Sequence, residues 1–80
     1  MKSHSNNSRL YVTKDRHKEG VYFAKTDVIK FCRFQQTPYG WELWFYPWKI
    51  RKRAPTLTET TKLIEKYFKI YWEETYAVHN

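Results

Sequence analysis

The sequence predicts an α+β protein, a small antiparallel sheet of three or four strands with one C-terminal helix packed across one face. Three observations predict it. Short segments rich in β-branched and aromatic residues, parted by turn residues, fill the chain from residue 9 to residue 46. A turn signal, "TPYG", separates two of them. The chain then closes on a single long segment with helical apolar periodicity. Strands followed by a helix, with no alternation between the two, is the order of an α+β domain.

"RLYVTK" (9–14) is the first strand candidate, and "DRHKEG" reads as a polar turn closed by Gly20. "VYFAK" (21–25) is the second strand, with Thr26-Asp27 as a tight connection. "VIKFCRFQ" (28–35) alternates Ile29, Phe31 and Arg33 against Val28, Lys30, Cys32 and Phe34, and its β-branched and aromatic content favours strand over a short helix. In "TPYG" proline presets φ at the second position and glycine accepts a positive φ at the fourth, so the turn joins 28–35 to a strand at 41–46. There Trp41, Leu43 and Phe45 share one face, and Glu42, Trp44 and Tyr46 the other. Pro47 cannot donate to a ladder and ends that strand or marks an edge. "PWKIRKR" then reads as a basic connector.

The helix begins after Pro55, with Thr56 and Glu59 at capping-box spacing. Leu57, Thr60, Thr61, Ile64, Phe68, Tyr71, Trp72 and Thr75 fall on one broad face, with Lys62, Glu65, Lys66, Lys69 and Glu73 opposite. Leu63, Tyr67 and Ile70 flank the stripe. They extend the core, the favoured reading, or form a contact ridge for another chain, which allows a homodimer without requiring one.

One domain is expected over 9–80, preceded by a loose polar tail at 1–8. Rings make up 20% of the 80 residues and must supply most of the buried area of so small a core. The single cysteine excludes an internal disulfide and a multi-cysteine zinc site. No apolar run reaches the roughly 18 residues that span a bilayer, and "MKSHSNNS" has no signal-peptide core. These features read as a soluble cytoplasmic protein without a membrane partner.

Catalytic chemistry finds no support. His4, His17 and His79 sit in a tail, a turn and a terminus, without ligand spacing. Cys32 reads as core filler, the two glycines make no phosphate loop, and Glu73-Glu74 reads as surface charge. The expectation is a protein that is not an enzyme and needs neither cofactor nor metal.

Charge points to a binding surface instead. The net charge is +7, and residues 1–53 hold twelve Lys/Arg against four Asp/Glu, an excess of +8. Such imbalance speaks to polyanionic or acidic partners and not to fold. If Trp41, Leu43 and Phe45 pack on the helix, then Glu42, Trp44 and Tyr46 stand on an open face, beside Lys30 or beside Arg33 depending on register. Rings among cations suit bases and phosphates. The competing arrangement covers that face with residues 1–20. Lys49, Arg51, Lys52 and Arg53 are the phosphate-contact candidates, and Trp48 joins the ring set. DNA or RNA is the favoured partner.

With sheet and helix laid out, "FYPWKIRKRAPTLTETTKLIEKY" resembles the last strand, basic loop and helix of the three-stranded-sheet-plus-helix DNA-binding domain of transposon and phage integrases. The likeness covers roughly residues 20–75 at the level of pattern. It implies that Lys30, Arg33, Trp44 and Tyr46 enter the major groove. Size and aromatic content also resemble small viral or mobile-element inhibitors of host proteins, anti-CRISPR proteins among them. That likeness implies Trp44, Tyr46 and Trp48 as interface anchors.

Overall fold

Alternation and turn chemistry resolve into a five-stranded antiparallel meander in the computed structural model, which describes residues 9–75. The strands are β1 (Tyr11–Lys14), β2 (Val21–Lys25), β3 (Lys30–Thr37), β4 (Gly40–Phe45) and β5 (Ile50–Ala54), followed by helix α1 (Leu57–Thr75). Spatial order follows chain order. The expected tail at 1–8 and the last five residues of the expected domain lie outside the described residues.

The α+β class and the C-terminal helix are as expected, but the sheet has five strands and not three or four. The extra strand is the segment read as a basic connector. "IRKRA" pairs with β4 from Phe45↔Ile50 to Trp41↔Ala54. Its cations suit an edge strand, where charge discourages pairing with another chain. The turn before it carries a left-handed residue that is not glycine, Lys49 at φ 57°, whose N–H donates to Phe45 O at 2.8 Å.

The other turns follow their chemistry. Asp15 accepts N–H bonds from His17 and Lys18 at 2.7 and 3.0 Å, and these hold its carboxyl below the usual carboxylate range. Gly20 closes that turn at φ 79°. Thr26 Oγ1 accepts from the N–H groups of Val28 and Ile29. Pro38 and Tyr39 link the paired residues Thr37 and Gly40. Gly40 is needed twice over: its φ is 133°, and a Cβ there would stand 2.7 Å from Ala54 O.

A register shift between Ala24 and Lys25 sets which residues of β3 turn toward the core. Ala24 pairs with Cys32 while Lys25 pairs with Lys30, so Phe31 is an extra residue on β3. Strict alternation would set Phe31 apart from Cys32 and Phe34. The bulge turns all three inward, and all three are buried. It also leaves Lys30 and Arg33 on one face, where alternation had separated them.

Thr56 caps α1, its Oγ1 accepting the Glu59 N–H at 3.2 Å. The helix packs chiefly over β4 and β5. Thr60 and Ile64 are buried, while Leu63, Tyr67, Phe68 and Tyr71 pack against the core, so Leu63 and Tyr67 extend it. Ile70 is half-buried beside them. The buried stripe is therefore rotated toward Tyr67. Leu57 is 52% exposed and lines an open groove with Leu10, Val12 and Tyr22.

Rings fill the sheet–helix interface. Phe31 meets Phe45, Trp48, Phe68 and Tyr71 at centroid distances of 5.3–5.9 Å, and Phe45 meets Tyr67 at 4.6 Å, edge to face. Trp41 packs with Tyr22 and Phe34 on the same side.

Candidate nucleic-acid interface

The second face of the sheet is built by the residues that alternate with this core. Cross-strand partners share a face, so the register places Thr13, Phe23, Arg33, Trp44 and Arg51 in one row across all five strands. One pleat along lies the row Val21, Gln35, Glu42 and Arg53. On the other side lie Tyr11, Lys25 and, through the bulge, Lys30.

Two rings of the first row, Phe23 and Trp44, are half-buried, and the guanidinium-bearing residues beside Trp44 are exposed. Lys30 Nζ stands 4.6 Å from the Phe23 ring centroid, and Lys25 Nζ stands 6.0 Å from that of Tyr11. Five cations (Lys25, Lys30, Arg33, Arg51 and Arg53) thus face the same way as three rings. Glu42 is the only carboxylate in these rows. It approaches the Arg53 guanidinium at 3.9 Å, a long contact for two partly solvated groups.

The residues expected to form the site divide. Lys30, Arg33, Trp44, Arg51 and Arg53 come together on this face. Lys52 does not: strand alternation turns it to the helix side, where its Nζ lies 6.0 Å from the Tyr67 ring. Trp48 also lies on the helix side, against Phe31, Phe45, Tyr67 and Tyr71. Lys49 occupies the β4–β5 turn. Tyr46 lies beyond the end of β4 and is half-buried at the start of that turn, its N–H donating to Phe31 O at 3.0 Å. The basic run is therefore a strand with a cation on each side, and not one cluster.

Phe23, Lys25 and Tyr11 join the face without having been singled out in the sequence. Their signal is the alternation of "VYFAK", which marks Phe23 and Lys25 as face-mates, but only pairing with β3 says which face. Of the 1–20 segment, residues 11–14 add an edge strand, and the turn that follows donates the Asp15 N–H to Val21 O at 2.9 Å at the end of the face where Val21 is buried, while Arg33 and Arg51 stay exposed.

The chemistry open to this face is stacking and charge pairing. Cys32 offers no nucleophile, because burial pushes its thiol up to about 12. Among the described residues there is no group of three or more His, Cys, Asp or Glu arranged to hold a metal ion. No helix of the described residues is long and apolar enough to cross a membrane. No family model, curated protein or solved structure matches this chain.

Proposed function

We propose that this protein is a non-enzymatic nucleic-acid-binding module and that the open face of its sheet makes the contact. One observation carries the reading: five cations and three rings share that face with one carboxylate in its rows, Glu42, and a second, Asp27, at its edge beside Lys25 and Lys30. Such a face attracts a polyanion, and its rings offer surfaces for bases. Of the residues that the resemblance to the integrase DNA-binding domains implies, Lys30, Arg33 and Trp44 stand on this face, and Tyr46 lies in the turn beside it.

The test is a titration of duplex and single-stranded probes at two salt concentrations. If the five cations each neutralise one phosphate, the slope of log K against log salt is about −3.5 for a single strand and about −4.5 for a duplex. Arg33→Gln combined with Arg51→Gln flattens it by about 1.4 to 1.8. No binding of any probe at low salt overturns the proposal. Docking on a host protein through Trp44, Tyr46 and Trp48 is the second reading. It has less support, because the Trp48 ring is engaged with four others beneath the helix.

A further inference from the structure

The row Phe23–Arg33–Trp44–Arg51 alternates ring and guanidinium on four neighbouring strands. From it we infer that the ligand is a single-stranded polynucleotide lying across the strands, with one base stacked on Phe23 and another on Trp44. This rests on the nucleic-acid reading and narrows it.

Three features carry the inference. The first is spacing. Phe23 and Trp44 stand two strands apart, about 9.6 Å at the usual interstrand distance, with Arg33 between them and Arg51 beyond. Rings and guanidiniums thus alternate along the row as bases and phosphates alternate along a single strand. The second is what a duplex can present. Its base faces are hidden in the stack, so flat rings on a sheet surface meet only phosphates and base edges. The third is width. Five strands span about 19 Å, whereas the major groove is about 12 Å wide and admits a helix or a two-stranded ribbon. Only part of a sheet this broad fits the groove, whereas a single strand can cross the whole row.

Lys30 lies over the Phe23 ring in the free protein. An exposed ammonium–ring contact is weaker than a base–ring stack, so an incoming base displaces it. The released ammonium then stands beside the phosphates of the same strand. Thr13 and Gln35, on the same face, offer hydrogen-bonding groups to base edges without fixing a sequence.

The test compares labelled oligothymidylate, oligodeoxyuridylate, oligouridylate and a mixed-sequence duplex of equal length by fluorescence anisotropy at one low salt concentration. At least one single strand binds tighter than the duplex, and oligodeoxyuridylate, which differs from oligouridylate in the sugar alone, identifies the preferred sugar. Trp44→Leu and Phe23→Leu each weaken single-strand binding by about 5- to 150-fold, the equivalent of one lost stack. Trp44→Phe, which keeps a ring, retains most of the affinity and guards against misreading a folding defect. Both Leu variants leave the salt slope unchanged. Duplex binding as tight as single-strand binding, or Trp44→Leu without effect, overturns this inference while leaving the nucleic-acid reading in place. Binding of no probe overturns both.

Discussion

The two faces of this sheet use the same residue types to opposite ends. On the helix side, Tyr22, Phe31, Phe34, Trp41 and Phe45 meet other rings at 4.6–6.4 Å, and Phe31, Phe34 and Phe45 are buried. On the open side, Tyr11, Phe23 and Trp44 are interleaved with Lys25, Lys30, Arg33 and Arg51. A ring among rings contributes buried area and edge-to-face contact, which is stability. A ring among cations keeps its face available, which is binding capacity. Residue type alone does not distinguish the two roles; the neighbours that register and α1 bring to each ring do.

The comparison is broken most severely at Phe31. Its truncation to alanine should cost about 3–5 kcal/mol in denaturant unfolding, while Trp44→Leu on the other face should cost about 1 kcal/mol or less. Equal costs would mean that the open face is a second core. Next comes pH. Cys32 stays neutral in the folded chain up to about 12, against an ordinary value of 9.0. Above pH 9 the unfolded chain loses this proton and the folded chain keeps it. Stability then falls by about 1.4 kcal/mol per pH unit between those values and is unaffected below them. Cys32→Ala should lose that part of the alkaline decline, as measured by unfolding across the same range.

Gly40→Ala should destabilise by about 1–3 kcal/mol, since it strains a positive φ and presses a methyl group on the O of Ala54, the last residue of β5 paired with β4. Thermal unfolding checks it. Thr56→Ala removes the cap of the covering helix and should cost about 1 kcal/mol by the same measurement. The smallest stability effect belongs to the open face. Glu42→Gln removes its carboxylate and the 3.9 Å contact to Arg53, changing stability by about 0.5 kcal/mol or less. The same substitution should tighten polynucleotide binding at low salt, and weaker binding would show that Glu42 orients Arg53 productively.

Much of this architecture was legible in the residues. The turns at Asp15–Gly20 and Pro38–Gly40, the inward set Trp41, Leu43 and Phe45, and the Thr56 cap each follow from local chemistry. The fifth strand was not legible. Four of its five residues are not strong β-formers, and the residue in the left-handed position of the preceding turn is Lys49, where glycine or asparagine would have announced a hairpin. The site was half legible for a related reason. Arg33, Trp44 and Lys30 stood out, but alternation split Lys30 from Arg33 until the bulge at Phe31 restored them to one face.

The sequence by itself determined the α+β class, the capped helix, the inward face of β4 and the excess of positive charge, because each rests on neighbours within a few positions of the chain. Tertiary structure alone decided which cations stand together, that Trp48 and Lys52 turn toward the helix, and that "IRKRA" is a strand. Those outcomes depend on cross-strand register, and a single bulge or pairing moves a side chain from one face to the other without altering any local signal.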